Sequence, residues 1–305
     1  MRTGAFFVCV ALLAVPAAAQ DRDFGRQALD LYDVPPDIAQ CSPGVLKQSE
    51  KTRALDTLNF IRALHDLPPV RYDEDSQDEV MQAALLIAAN GRISHVPSPF
   101  WKCWSPKGAD GAQDSNLSGG AAVYLKLHTS GQVVADWLTD VTNTIANNVG
   151  HRRWLLNPFL DRVAFGRVTA NTDSESVDGV ALRVNYLPGG PANFTQPLVA
   201  WPFHVYPALL FAPGSLLSFS AVVNPASYFA NQDVDYSQAL VSVTQRGGGP
   251  VAVTNISHDN AAYGLPNNLQ FAAAIRQDVV YDITIRNVKA GGVTRDYSYW
   301  FRIAP

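Results

Sequence analysis

Pro188-Gly189-Gly190-Pro191 is turn and linker chemistry, and the sequence changes texture across it. Beyond it, Val279, Tyr281, Ile283 and Ile285 alternate with Val280, Asp282, Thr284 and Arg286. Tyr297, Tyr299, Phe301 and Ile303 alternate with Ser298, Trp300, Arg302 and Ala304, and Leu217, Phe219, Ala221 and Val223 follow the same rule. A period of two puts every second side chain on one face of a strand. Such half-buried strands, separated by Gly, Pro and Asn turns, predict an antiparallel, immunoglobulin-like β-sandwich over residues 197–305. Residues 189–196 are its expected linker.

Before the seam the apolar spacing is helical. Ala54, Leu55, Leu58, Ile61 and Leu64 lie on one helix, stopped by Pro68-Pro69. A second helix is expected to open on a capping box, Ser76 with Glu79, and to close at Gly91, with Val80, Ala83, Ala84 and Ile87 on its apolar face. A third is expected over residues 131–145, with Val134, Trp137, Leu138 and Val141 on one face. The stretch between the second and third helices, rich in Gly, Ser, Asp and Pro, reads as a long loop. A helical turn over residues 151–156 ends at Pro158, and residues 163–168 and 180–187 read as strands. The pattern predicts an α+β domain over residues 48–188, preceded by an extension over residues 20–47.

The N-terminus has the order of an export signal: Arg2, an apolar run over residues 5–15, Pro16, then Ala17-Ala18-Ala19. That run is too short for the ~20 residues that span a bilayer, so residues 1–19 read as a leader and the mature chain as secreted or periplasmic, with no transmembrane segment. A net charge of −4 supplies no electrostatic footprint for nucleic acid. Of the three cysteines, Cys9 falls in the leader. Cys41 and Cys103 remain, an even count in an oxidising compartment, and are expected to form a disulfide.

Phosphate loops, G-x-S-x-G elbows and H-E-x-x-H helices are absent from the sequence. The chemistry-bearing candidates are His95 in Ile93-Ser94-His95-Val96-Pro97, and His151 in Gly150-His151-Arg152-Arg153-Trp154. Asp140 follows Trp137 by about one helical turn, and Asp114-Ser115-Asn116-Leu117 lies between. In order along the chain, Asn59-Phe60-Ile61-Arg62, Leu67-Pro68-Pro69-Val70, Ala83-Ala84 through His95, Asn116-Leu117, Trp137-x-x-Asp140 and Gly150-His151-Arg152 resemble the CAP superfamily: the cysteine-rich secretory, antigen 5 and pathogenesis-related proteins, also called SCP domains. The resemblance spans roughly residues 52–187 and implies an α-β-α sandwich. Bacterial members often carry the Gly-His-Arg form, and some carry a C-terminal β-domain.

The family's cavity typically holds two histidines and two glutamates. His95 and His151 match the histidines, and Asp140 matches one acid, shortened by a carbon. The other acid's position holds Ser115. Catalytic zinc sites usually have three protein ligands and an open position, so His95, His151 and Asp140 form at best a weak site for zinc or another divalent metal. Arg152 and Arg153 are expected to add positive charge beside it. Cavity residues are thus expected to be His95, Ser115, Asn116, Asp140 and His151. Family members are associated with lipids such as sterols, with divalent metals and with extracellular partners. The leading expectation is a secreted, non-enzymatic binding protein for a small apolar ligand, a lipid or an extracellular protein or cell-surface partner. The alternatives are a metal-dependent hydrolase using His95, His151 and Asp140, and a surface or matrix interaction module with a vestigial cavity.

Overall fold

The structure, a computed structural model, describes residues 17–141, 143, 148–172, 174–187 and 190–305. Most of the expected leader, residues 1–16, and Ile145 at the end of the expected third helix lie outside the described residues.

Helix α1 (Ala17–Leu29) leads into a small ribbon of β1 (Tyr32–Val34) and β2 (Val45–Leu46). Then come α2 (Gln48–Ala63), β3 (Arg71–Tyr72), α3 (Gln77–Asn90), α4 (Pro106–Gln113), β4 (Ser115–Ala122), α5 (Ser130–Thr139), α6 (Gly150–Leu155), β5 (Arg162–Asn171) and β6 (Ser176–Arg183). The strands β3-β5-β6-β4 form one sheet. Cross-strand partners share a face, so Gly166 with Ala181 and Phe165 with Leu182 mark its two sides. The small side carries Ala164, Ala181 and Leu117 and packs on Val80, Ala83 and Ile87 of α3. The large side, with Phe165 and Leu182, joins Leu58, Ile61, Val134 and Leu138 of α2 and α5 in the main core. This is the α-β-α layering implied by the resemblance.

Helix α3 rests on bare backbone. A Cβ on Gly166 would stand 2.3 Å from the Val80 carbonyl carbon, and one on Gly179 would stand 2.2 Å from the Ala84 oxygen. No flexible side chain can yield there, so Gly166→Ala and Gly179→Ala are each expected to lose about 3 kcal/mol of stability. Gly120→Ala, with open space around the new methyl, is the matched control. Denaturant titration of the three variants checks this, and a neutral Gly166→Ala would show that the helix does not seat on that strand.

Several boundaries differ from the sequence reading. The expected long loop contains α4 and β4. Ser105 caps α4 by accepting from the Gly108 amide, with Pro106 at the first turn; glycines 108 and 111, needed where α4 crosses α3, disguised it. Ser76 stands at the N-cap of α3, but its hydroxyl donates to Asp73 at 2.7 Å and caps nothing. The reciprocal capping box belongs to Thr129 and Gln132 on α5. That helix stops at Thr139, because Asp140 turns left-handed at φ 56°, and Val141 is exposed. Strand β6 begins at Ser176 and ends at Arg183, earlier than the expected 180–187 at both ends. Gly91 closes α3 in the left-handed conformation, as its position predicts.

The second half holds β7 (Leu198–Trp201), β8 (His204–Pro207), β9 (Leu217–Ala221), β10 (Val234–Asp235), β11 (Leu240–Gln245), β12 (Pro250–Val251), β13 (Val253–Asp259), β14 (Asn268–Ala273), β15 (Val280–Ala290) and β16 (Val293–Ala304). One sheet runs β12-β11-β15-β16-β8, with β10 also on β15; the other runs β13-β14-β9-β7. Phe219 of β9 meets the rings of Tyr297 and Tyr299 of β16 at 5.2 and 6.5 Å, so the inner faces interleave as a sandwich. One pair departs from the antiparallel expectation: β8 runs parallel to β16, because the chain crosses from one sheet to the other between β7 and β8.

The two halves share one continuous core. Phe194, in the segment read as a linker, is buried within it. His65 of the first half sits against Tyr206 and Phe203 of the second, its Nε2 3.2 Å from the Tyr206 hydroxyl.

Cys41 and Cys103 are joined as a disulfide, tying the N-terminal extension to the loop after α3. The closed loop spans a sequence separation of 62, which on the chain-entropy relation corresponds to about 4 kcal/mol. Cys41→Ser with Cys103→Ser is therefore expected to lower the unfolding free energy by about that amount, read by denaturant titration against the oxidised chain. An unchanged midpoint would contradict it.

Candidate functional site

The site is assembled where α5 ends and α6 begins. The left-handed turn at Asp140 folds its carboxylate back under α6, where the side chain is fully buried. Val149, also left-handed at φ 48°, redirects the chain into α6 so that His151 falls on the helix's first turn. His151 Nδ1 and Asp140 Oδ1 are 2.8 Å apart. Since the carboxylate only accepts, Nδ1 donates and the ring keeps Nε2 as its remaining nitrogen. His95, exposed on the loop after α3, donates through Nδ1 to the Ala112 carbonyl at 2.9 Å, leaving its Nε2 likewise. Asn116 ties β4 to α6 by donating to the His151 carbonyl at 3.1 Å.

A cleft of about 340 Å3 runs past these groups, lined among others by His95, Ser115, Asn116 and His151. Four of the five expected cavity residues therefore meet in one place. The fifth, Asp140, does not line this cleft but stands behind His151. Ser115 is buried, and its hydroxyl has no hydrogen-bond partner. On the other side of the two histidines a second hollow of about 420 Å3 is bounded by Trp137, Gly119 and Asp136, with His95 and His151 common to both.

The two arginines expected beside His151 do not line the cleft. Arg152 and Arg153 both turn away from the cleft into the β-sandwich. Arg152 is fully buried, donates to the carbonyls of Leu138, Thr139 and Leu216 at 2.6, 2.8 and 2.6 Å, and lies 3.8 Å over the Trp201 ring. Arg153 holds Asp259 through two hydrogen bonds of 2.8 and 3.1 Å and the Ala261 carbonyl at 2.6 Å. Burial lowers both guanidinium groups. Consecutive residues on a short helix diverge by about 100° each, so one histidine faces the cleft while its two neighbours anchor the other half of the molecule.

Other cleft residues escaped the sequence reading. Asp114, next to the Ser115 that replaces the family's acid, lines the cleft and is held by Arg183 at 3.2 Å and Asn185 at 3.0 Å. Burial raises its carboxyl above the usual range. Trp154 follows His151 by three residues, the spacing that shares a helix face, so its presence was legible. Tyr263 and Ala262 come from the β-sandwich; no local signal marks them, because only the packing of the two halves brings them here.

The first half is thus a layered α-β-α module with a two-histidine cleft at its edge. Residues 55–186 match the model of CAP, the cysteine-rich secretory protein family. The chain thus carries a CAP superfamily domain. Among solved structures it is similar to an extracellular SCP-domain protein from Bacillus anthracis, at 19% identity and a TM-score of 0.25, covering 44% of this chain and 41% of that one. The chain thus spans under half the length of that structure. No curated protein matches the chain.

The family's metal can be tested against these donors. Asp140 is engaged with His151 Nδ1, which makes it a support for the ring and not a third ligand. Among the described residues, no three His, Cys, Asp or Glu side chains are grouped as a metal site. Two imidazoles fall short of the three protein ligands of a catalytic zinc, so this donor set does not fit that centre and no chemistry is routed through it.

Proposed function

We propose that this chain is an exported binding protein that takes a small ligand into the cleft between His95, His151 and the edge of the β-sandwich. The observation that carries the reading is the composition of that cleft: two imidazoles fixed by their Nδ1 bonds, a buried hydroxyl without a partner at Ser115, and an aromatic wall at Trp154. Export is supported by the leader-like N-terminus and by the Cys41–Cys103 disulfide, which persists in oxidising compartments. The lining shifts the expected ligand from a wholly apolar one to one with an apolar face and a hydrogen-bonding edge.

A thermal-shift screen of small extracellular metabolites and lipids tests this. A ligand that raises the melting temperature of the wild type, and does so no longer in His151→Ala, is the expected result. Absence of any stabilising ligand across polar and apolar sets would contradict it.

The Asp140–His151 pair favours one second reading. A carboxylate behind an imidazole is the arrangement of a general base, with Nε2 of His151 taking a proton from water or substrate. Neither histidine is hydrogen-bonded to Ser115, so a serine relay is not assembled. Hydrolysis of ester, amide or glycoside probes by the wild type, lost in both His151→Ala and Asp140→Asn, would establish this second reading over the first.

A further inference from the structure

We infer that the β-sandwich completes the ligand cleft, with Tyr263 as a specificity-determining wall, and that the ligand class is a neutral saccharide. The inference rests on the binding-protein reading above and names its ligand.

Tyr263 enters the cleft on a segment moulded to α6. Asp259, at the segment's start, is held by Arg153 and in turn accepts from the Ala261 amide at 2.9 Å. At its end Gly264 adopts φ +63°, and a Cβ there would stand 2.1 Å from the Arg153 carbonyl oxygen, so the backbones touch. The Tyr228 hydroxyl donates to the Gly264 carbonyl at 2.7 Å. The Tyr263 ring lies 5.7 Å from the Arg153 guanidinium and remains 45% exposed, although both ends of its segment are fixed. A surface aromatic held in place at a cleft and still nearly half exposed is a preorganised contact for a ligand.

The rest of the lining sets the chemistry. Trp154 and Val184 also line the cleft, and Gln113, Asn116 and Asn185 bring amide side chains to it, of which Asn116 and Asn185 already donate to the His151 carbonyl and to Asp114. Amide groups both donate and accept, as the vicinal hydroxyls of a sugar do, and the Nε2 atoms of the two histidines add acceptors. Among the described residues no Lys or Arg lines the cleft, and Asp114 is already held by Arg183 and Asn185. Nothing there matches an anion such as phosphate or carboxylate. A pyranose ring offers the complement, an apolar C–H face for the aromatic wall and a rim of hydroxyls for the amides. The cleft volume of about 340 Å3 lies at the small end of ligand pockets, ~300–1,000 Å3.

The full chain is titrated calorimetrically with neutral disaccharides of hexose and N-acetylhexosamine type, and co-sedimented with insoluble cellulose and chitin. A free sugar and a polymer chain present the same ring, and the two arms distinguish them; binding in either arm supports the saccharide class. Tyr263→Ala is expected to weaken that binding about tenfold and Tyr263→Phe, which keeps the ring beside the Arg153 guanidinium, to leave it within about twofold, with the melting temperature of each variant measured alongside. Saccharide binding that Tyr263→Ala leaves intact overturns the composite cleft. A fatty acid or sterol bound in a His151-dependent way, with no saccharide bound, overturns the ligand class while keeping the binding-protein reading. Binding of neither overturns both.

Discussion

Arg152→Ala is expected to lower the unfolding free energy by on the order of 5 kcal/mol, close to the whole stability of a marginal domain. The substitution leaves the carbonyls of Leu138, Thr139 and Leu216 buried with no donor, and it strips the Trp201 ring of its cation. An orphaned buried acceptor loses about 1–3 kcal/mol, and three of them, together with the cavity, account for the figure. Arg152→Lys is not expected to rescue, because an ammonium cannot reach carbonyls on two elements with the planar fork that the guanidinium provides. Denaturant titration of wild type and both variants decides this. A loss below about 1 kcal/mol in Arg152→Ala would show that the arginine is not the staple its contacts describe.

The second large effect is an acid one. His65 is fully buried against Tyr206, and burial pushes its imidazole down to about 3. In the unfolded chain the same ring takes a proton near pH 6.5. Between those values the unfolded state holds more protons than the folded one, so stability falls as pH falls, by about 1.4 kcal/mol per unit. Above pH 6.5 the ring is neutral in both states and contributes no pH dependence. Over the full window the loss approaches about 5 kcal/mol, and the part between pH 6.5 and 4.5 precedes most carboxylate titration. Stability measured against pH is expected to slope downward there in the wild type and to run flatter in His65→Phe, whatever that variant's stability at neutral pH. Equal slopes in the two would contradict the assignment. Because His65 packs on residues of the second half, the acid-sensitive contact is one of those that join the halves.

Much of this was legible along the chain. The alternation of Tyr297, Tyr299, Phe301 and Ile303 specified a strand with one buried face, and β16 is that strand. Gly91 marked the end of α3, and the paired cysteines marked the disulfide. What stayed hidden has a common cause. Glycines 108 and 111 are the residues that let α4 lie on α3, yet by local propensity they read as loop. Ser76 had the right spacing to cap α3, but Asp73 was nearer to its hydroxyl. At the site, His95, Ser115, Asn116 and His151 were identified, while Asp140 was placed in the cleft and not behind it. Arg152 and Arg153 were read as charge around His151 because sequence adjacency says nothing of the direction a side chain takes from a helix. Tyr263, more than a hundred residues from His151, had no local signature at all.

The short helix that carries His151, Arg152 and Arg153 also limits how this protein can be rearranged. Its first turn faces the cleft, and its next two residues are partnered by Leu216, Ser218 and Asp259 from the other half. Replacing the β-sandwich by an unrelated module would strand two guanidinium groups in an apolar seam and loosen the helix that aims the histidine. The halves are therefore poor candidates for domain shuffling. A lineage that kept the cleft would have to inherit the sandwich with it, or change both arginines in the same step.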